Sequence, residues 1–315
     1  MNFLIIGSNF IVDKFLEAAV QAQGFCLHTT YSRSREQALR NQQKWGALSA
    51  TDELLAAAKD PAIDCAYIAS PNLCHFSQAK LLLEHGKHVL CEKPICLSAA
   101  ELSALLAIAR AKGVVLLEAM RPLFLPHLPQ IRAQLAALGR IRYAEFCYCQ
   151  YSSRYDRFQQ GIVENAFKRE LGNGALRDIG VYCLSVMEYL FGSPLSMHYA
   201  QRELPQSIDV TGLVTARYAE FDAVCRFSKV HDSHRGAIIE GEQGTLELLG
   251  FPICKGFALR LRHQQEWQHA FAMYDNDMRY EIEAFLQMCC GEADAESYQQ
   301  HSLACMGMLD TLKSL

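Results

Sequence analysis

Short apolar runs alternate with amphipathic segments over the first 120 residues of the chain. The runs have the length of buried strands, and the segments between them carry apolar residues at helical spacing. The predicted strands span residues 3–6, 25–31, 64–69, 88–91 and 114–118. Ser98 and Gly113 have the residue types that begin and end a helix, and Thr51 is predicted to begin another. Repeated strand–helix units predict a doubly wound parallel sheet with helices on both faces.

The pattern changes near residue 120, where three prolines interrupt the alternation and strand-like runs begin to outnumber helices. The predicted strands span residues 141–151, 195–204, 208–218, 221–228, 235–241, 244–249 and 257–263, and the helices 174–191, 278–290 and 298–315. Long strands with short connections predict a large, mainly antiparallel sheet. We therefore expect a dinucleotide-binding domain over residues 1–120 and an α+β domain over residues 121–315.

One face of the second sheet has too few helices to cover it, so we expect it to be open. An open sheet face commonly meets another subunit. We predict a homo-oligomer, a dimer or a tetramer, that forms through this face. The rest of the domain is expected to bind the substrate.

Composition narrows the classes of partner. Lys and Arg number 30 against 34 Asp and Glu, a formal charge of -4, which offers no electrostatic attraction for nucleic acid or an anionic membrane. No apolar run reaches the roughly 20 residues that cross a bilayer. A small-molecule substrate is the expected partner.

Thirteen cysteines lie mostly in apolar surroundings, and the first residues lack the pattern of a secretory signal. We predict reduced thiols in a cytoplasmic protein. The close pairs Cys147/Cys149 and Cys289/Cys290 do not have C-x-x-C spacing, so no metal site is predicted. A thiol enzyme is disfavoured because no cysteine adjoins a recognisable base.

The first strand, turn and helix are where a dinucleotide pyrophosphate would rest on backbone N–H groups. The candidate cofactor residues are Gly7, Ser8, Asn9, Phe10 and Ile11. The G-x-G-x-x-G pattern is incomplete, because Asn9 and Val12 occupy the second and third glycine positions. Asn9 is expected to adopt a left-handed backbone and so keep the turn. A plain strand–helix turn remains the alternative.

The second strand ends in Ser32 and Arg33, with Arg35 close behind, where an NAD-binding protein would carry an acid. A hydroxyl and guanidinium groups suit a 2′-phosphate, so NADP is favoured over NAD. Glu36 keeps NAD open, and an ordinary solvated arginine is the other interpretation.

Polar loops follow two neighbouring predicted strands, Ser70-Pro71-Asn72 after one and Glu92-Lys93-Pro94 after the next. Their pattern resembles the Ser/Thr-Pro-x-x-x-His … Gly-Lys-His-Val-x-Cys-Glu-Lys-Pro signature of the glucose-fructose oxidoreductase, inositol dehydrogenase and MocA (GFO/IDH/MocA) family. The matching residues are Ser70, Pro71, His75, Gly86, Lys87, His88, Val89, Cys91, Glu92, Lys93 and Pro94. Residues 172–182 also resemble the family segment Gly-Gly-Gly-x-x-x-Asp-x-Gly-x-His/Tyr, with Tyr182 in the position where dihydrodiol and sugar dehydrogenases carry tyrosine.

The resemblance implies an NAD(P)-dependent oxidoreductase that moves hydride between a nicotinamide and a sugar, polyol or related hydroxy compound. It implies cofactor contacts from Ser70, Pro71, Asn72, His75, Glu92 and Lys93. Tyr182 is the expected acid/base, Lys93 assists it, and Asp178 orients the substrate and the lysine. The spacing of Asp178 and Tyr182 predicts one shared helix face. The family's Lys–Pro bond is typically cis.

Several alternatives stay open. Tyr182 is also consistent with a core tyrosine whose hydroxyl pairs with Asp178. Arg154, Tyr155 and Asn165 suit a polyol pocket, although an exposed loop would have the same composition. Leu123 stands where relatives commonly have arginine, so their substrates do not transfer directly. The rival function is a non-catalytic nucleotide-binding sensor or scaffold, which the missing glycines would suit.

Overall fold

A computed structural model describes residues 1–205 and 208–313 of the chain. The chain forms two compact units. The first contains residues 1–124 and 274–303, and the second contains residues 125–273 and the chain from residue 304. Each unit has its own sheet, and the described residues include no helix that is both long and apolar enough to span a membrane.

The first unit is built on six parallel strands in the order β3-β2-β1-β4-β5-β6. The strands are β1 (Asn2–Ile6), β2 (Cys26–Tyr31), β3 (Ser49–Thr51), β4 (Cys65–Ile68), β5 (His88–Glu92) and β6 (Leu116–Ala119). The helices are α1 (Phe10–Ala19), α2 (Arg35–Trp45), α3 (Leu54–Lys59), α4 (Asn72–Glu84) and α5 (Ala99–Lys112), followed by a 3₁₀ turn, Arg121–Phe124. The predicted parallel sheet is confirmed. Strand order reverses between β1 and β4, and ligands of such sheets bind at the carboxyl ends of the strands beside that point.

Local end signals were partly sufficient to place the helices. Ser98 does begin α5, because its hydroxyl accepts from the backbone N–H of Glu101 at 3.2 Å, and Gly113 ends the helix with a φ of +65°. Thr51 does not begin a helix. It is the last residue of β3, paired with Tyr31, and α3 starts only at Leu54, so that prediction is wrong.

The helix predicted at residues 278–290 belongs to the first unit. It is α9 (Met278–Cys289), and its buried Ile282 and Phe285 pack into the core around Phe3 and Phe15. The rings of Phe3 and Phe285 lie 6.0 Å apart. The prediction that this helix belongs to the second domain is therefore wrong. A stripe of apolar residues shows that a helix must pack against a core, but it does not show which core.

The second unit contains an eight-stranded sheet in the order β14-β13-β12-β11-β7-β10-β9-β8. The strands are β7 (Ile141–Cys149), β8 (Ser196–Leu204), β9 (Ile208–Arg217), β10 (Asp222–Ser228), β11 (Ala237–Gly241), β12 (Gly244–Leu249), β13 (Gly256–Leu261) and β14 (Trp267–Ala270). Every neighbouring pair is antiparallel except β7 and β10. The predicted mainly antiparallel sheet is confirmed, and β14 was missed.

The second unit also contains helices, of which the one at Val181–Phe191 contacts β7 and β10. They include α6 (Leu128–Ala133) and α7 (Ser153–Gln159), both missed in the sequence, α8 (Val181–Phe191) and α10 (Glu296–Lys313), which begins in the first unit. The chain also forms 3₁₀ turns at Gln134–Leu138, Asn165–Phe167 and Arg169–Leu171, and a π-helix at Leu176–Gly180. Along β9 the burial alternates, so that Leu213, Thr215 and Arg217 are exposed on the opposite face. The open face that the sequence predicted is therefore present in this unit.

Candidate functional site

The turn between β1 and α1 is as tight as a dinucleotide turn requires. Gly7 has a φ of +128°, and a Cβ there would lie 2.6 Å from the carbonyl oxygen of Ala69. No side chain fits that space, so the backbone of the turn is pressed against the end of β4. This cradle is consistent with a bound pyrophosphate.

Asn9 takes part in the turn in a way that the sequence did not predict. Its φ is -90°, an extended rather than left-handed backbone. The side-chain Oδ1 accepts from the N–H of Ile11 at 3.1 Å, and Nδ2 donates to the oxygen of Ala69 at 3.0 Å. Asn9 therefore caps α1 and ties it to β4, which replaces the second glycine by hydrogen bonds.

The third glycine position is occupied by a valine that packs into the core. Val12 is fully buried in the core cluster that contains Phe15, whereas Ser8 and Phe10 at the start of α1 are exposed. The amino-terminal end of the helix, where its dipole is positive, thus lies at the surface.

The two arginines after β2 have different surroundings. Arg35 donates to the carbonyl oxygen of Ala50 and lies 3.8 Å from a carboxylate oxygen of Asp52. Arg33 is exposed and makes no ion pair or hydrogen bond within the described part of the chain. Ser32 next to it is half-buried. Of the two guanidinium groups, that of Arg33 therefore has no acceptor within the described residues.

His75 joins the two loops that contain the family signature. It is fully buried, with Nε2 2.9 Å from the oxygen of Ser70 and Nδ1 2.9 Å from the oxygen of Pro94. Burial lowers its pKa, and a neutral imidazole donates through one nitrogen only. Through these contacts His75 links the loop at Ser70 to the loop at Pro94. Pro71 precedes α4 and Asn72 begins it, while the hydroxyl of Ser70 donates to Gln78 at 2.7 Å.

Lys93 directly follows β5, and its bond to Pro94 is cis, as the resemblance implied. Beneath it, the hydroxyl of buried Tyr67 donates to Oε1 of Glu92 at 2.7 Å. Glu118, also buried, accepts from the N–H of Ile95 at 3.0 Å, and burial raises its pKa. These carboxyl groups hold the backbone on both sides of the Lys–Pro bond.

In the second unit, Asp178 forms an ion pair that the sequence analysis missed. Its Oδ2 lies 2.7 Å from Nζ of Lys229, which directly follows β10. The lysine is 3% exposed. The available signal in the sequence was a lysine directly after Ser228 at the end of a strand. Nothing in the sequence relates this lysine to Asp178, 51 positions earlier.

The segment around Asp178 and Tyr182 is not a regular α-helix. Residues 176–180 form a π-helix, which changes the turn on which the predicted shared face depended. Tyr182 is buried at the start of α8, with its ring edge-on to Tyr148 at 5.7 Å between centroids. Asp209 anchors the segment by accepting from the N–H of Leu176 at 2.7 Å. π-Helical turns often occur at functional sites.

The three weaker substrate candidates lie in one region of the second unit. The guanidinium of Arg154 is 3.5 Å from Glu164, the ring of Tyr155 packs into the small apolar cluster around Phe167, and Asn165 begins the adjoining 3₁₀ turn. Lys229 reaches this turn as well, because it donates to the oxygen of Ala166 at 3.1 Å.

The thiols do not form a metal site among the described residues, which contain no group of three or more metal-ligating side chains. All thirteen cysteines lie within the described ranges, and none of them forms a disulfide bond. Cys147 and Cys149 approach to 3.8 Å, and Arg226 donates to Cys147 at 3.1 Å. The bond from Cys149, with help from Ser233 and Arg226, lowers the pKa of Cys147 to about 6.

The doubly wound parallel sheet and the tight turn at Gly7 have the form of a dinucleotide-binding domain. Family models agree: residues 1–120 match the description "Oxidoreductase family, NAD-binding Rossmann fold", and residues 131–247 match "GFO/IDH/MocA C-terminal domain". The chain belongs to the GFO/IDH/MocA oxidoreductase family. The predicted family and the NAD(P)-dependent oxidoreductase activity are confirmed.

Relatives and solved structures give the same picture. The chain is 44% identical to scyllo-inositol 2-dehydrogenase (NADP(+)) IolU of Bacillus subtilis (strain 168), over 78% of this chain and 75% of the relative. It is 38% identical to "Uncharacterized oxidoreductase YgjR" of Escherichia coli (strain K12), over 90% and 87%. The crystal structure of KijD10, a 3-ketoreductase from Actinomadura kijaniata in complex with NADP and TDP-benzene, superposes with a TM-score of 0.87 at 20% identity. That match spans 100% of this chain and 97% of the other, and it shows a shared fold.

Proposed function

We propose that the protein is an NADP-preferring dehydrogenase or reductase of a sugar, polyol or related hydroxy or carbonyl compound. The observation that carries the proposal is the position of Lys93, a cation that directly follows β5. The carboxyl ends of the strands near the point where the strand order reverses are where such sheets bind ligands. The substrate class is supported by the 44% identity to IolU, which is named for scyllo-inositol.

NADP is favoured by Arg33 and Ser32, which follow β2 at the position of a ribose reader. The acid that would favour NAD, Glu36, pairs with Arg40 on α2 at 2.6 Å. The name of IolU also specifies NADP. The proposed cofactor residues are Gly7, Ser8, Asn9, Phe10, Ile11, Ser32, Arg33, Ser70, Pro71, Asn72, His75, Glu92 and Lys93.

The nicotinamide supplies a carbon that accepts or donates hydride when it is bound. Lys93 places positive charge at the reacting oxygen, which stabilises alkoxide character as the hydroxyl loses its proton. Tyr182 takes that proton in oxidation and returns it in reduction. Asp178 accepts a hydrogen bond from a substrate hydroxyl, and Arg154, Tyr155 and Asn165 contact the remaining hydroxyls.

Replacing Lys93 by alanine tests the proposal. We expect Lys93→Ala to lower turnover roughly 10²- to 10⁴-fold because the charge on the reacting oxygen is lost, while NADPH binding stays within about threefold of wild type. Lys80→Ala is the matched control, since Lys80 pairs with Glu84 on the surface of α4. Substrates to screen are inositols, aldoses and vicinal diols.

Two results would contradict the assignment. Wild-type turnover in Lys93→Ala would remove Lys93 from the chemistry. Failure of the protein to bind NADPH or NADH in a fluorescence titration at millimolar concentration would favour a non-catalytic sensor or scaffold.

We also infer a homo-oligomer, in the first instance a dimer, that associates through the open face of the eight-stranded sheet. The exposed row of Leu213, Thr215 and Arg217 on that face supports it. A cytoplasmic location is supported by the thirteen cysteines, none of which forms a disulfide bond, because thiols stay reduced in that compartment.

A further inference from the structure

Lys229 is a buried cation at the edge of the substrate-binding candidates. Its side chain is 4% exposed, and burying an ammonium group is costly unless the charge is paired. Asp178 supplies the pairing charge at 2.7 Å, the oxygen of Ala166 accepts a second hydrogen bond at 3.1 Å, and the ring of Phe167 lies 5.0 Å away. The lysine is therefore held from several sides.

The backbone of Lys229 is fixed as firmly as its side chain. Its N–H donates to the oxygen of Val210 on β9 at 2.8 Å. Its carbonyl oxygen accepts from the N–H of Ser152 at 2.9 Å, directly before α7, the helix of Arg154 and Tyr155. One residue thus links β9, α7, the turn that begins at Asn165 and the π-helix.

Asp178 is the more exposed partner of the pair. Its side chain is 39% exposed. The residue belongs to a π-helix, whose hydrogen-bond pattern differs from that of a regular α-helix. A carboxylate in contact with solvent can rotate and exchange partners with water. A buried cation 2.7 Å from one carboxylate oxygen restricts the orientation of that carboxylate.

We propose that Lys229 is a positioning residue for the reaction. It holds the carboxylate of Asp178 in the orientation that binds a substrate hydroxyl, four residues before the proton-exchanging Tyr182. The inference rests on the proposed function, because Asp178 has its role only if the protein turns over a hydroxy compound.

A double-mutant cycle in the full-length protein tests the inference. The variants are Lys229→Met, Asp178→Asn and the double variant, assayed with NADP and the best substrate of the screen. We expect Asp178→Asn to lower kcat/KM about 100-fold and Lys229→Met about 30-fold. The double variant is expected within about threefold of Asp178→Asn alone, because a residue that acts through Asp178 has nothing left to position.

Two further variants separate positioning from loss of structure. Lys229→Arg keeps the charge and should restore kcat/KM to within about fivefold of wild type. Arg142→Met removes the exposed ion pair with Glu242 from the same sheet and should leave kcat/KM unchanged. NADPH affinity should stay within about threefold in every variant. If Lys229→Met does not fold, Lys229→Gln takes its place with the same expected coupling.

The outcomes are distinct. Lys229→Met within about threefold of wild type, or losses that multiply in the double variant, would overturn the inference and leave the proposed function standing. A wild-type protein without turnover on any hydroxy compound would overturn both.

Discussion

Arg33 and Arg35 lie two positions apart, and their surroundings separate their roles. Both belong to the cluster that the sequence assigned to a 2′-phosphate. Arg35 contacts Ala50 on β3 and Asp52 just after it, whereas Arg33 is exposed and makes no hydrogen bond or ion pair with any described residue. A guanidinium that already has acceptors gains little from a phosphate, so selectivity should depend on Arg33.

We therefore expect Arg33→Ala to weaken NADPH binding about 10- to 100-fold while NADH binding changes less than about threefold. Arg35→Ala is the control and should leave the ratio of the two affinities unaltered. Fluorescence titration with each nucleotide measures both constants. Equal weakening of NADPH and NADH by Arg33→Ala would show that the residue does not recognise the 2′-phosphate.

Among the helices, α9 combines a core-packing face with a buried carboxyl group. Glu281 is fully buried, and neither of its side-chain oxygens has a hydrogen-bond partner within the described part of the chain. Burial, and next the charge of Glu92, raise its pKa well above the usual value. The unfolded chain releases this proton above about pH 4.3 while the folded protein retains it, so the free energy of unfolding falls as pH rises from there.

The glutamine of Glu281→Gln cannot ionise, so the free energy of unfolding of this variant should not show the same fall as the pH rises. We expect the variant to be more stable than wild type at pH 8, by about 1–2 kcal/mol, and to differ less at pH 4.5. Denaturant unfolding across that pH range makes the comparison. Glu283→Gln, on the same helix but paired with Arg279, is the control and should show no such gain. A gain that does not vary with pH would contradict the assigned ionisation.

For the molecule as a whole, the open face of the eight-stranded sheet is the surface that the fold leaves uncovered in the second unit. Leu213 is 39% exposed there, opposite Arg226 on β10 and Ala200 on β8. Its strand, β9, lies one strand in from the edge of the sheet, and an exposed apolar side chain there is placed to be buried between two copies.

Leu213→Asp should therefore convert the oligomer to monomers, because an interface would bury the new charge without a partner. Light scattering during gel filtration should give at least twice 35.4 kDa for the wild type and 35.4 kDa for the variant. Leu48→Asp changes a leucine that is 69% exposed in the first unit and should leave the mass of the oligomer unaltered. A monomeric wild type would contradict the proposed association.

Local patterns were enough to predict the two sheets, the family signature and several helix ends. They succeed because strand alternation, helix caps such as Ser98 and the loops around Ser70 and Lys93 depend on residues close together in the chain. The same patterns misplaced Thr51, since pairing with β2 overrides its preference for a helix start.

Other features of the candidate site depend on partners far apart in sequence. The pairing of Lys229 with Asp178, the contact of Asn9 with Ala69, the packing of α9 against β1 and the distinction between Arg33 and Arg35 all arise from long-range contacts. One sequence pattern is compatible with several such partners, and the packing of the folded chain selects among them. The candidate residues for the chemistry could thus be proposed from the chain alone, whereas the charges and hydrogen bonds around them required the fold.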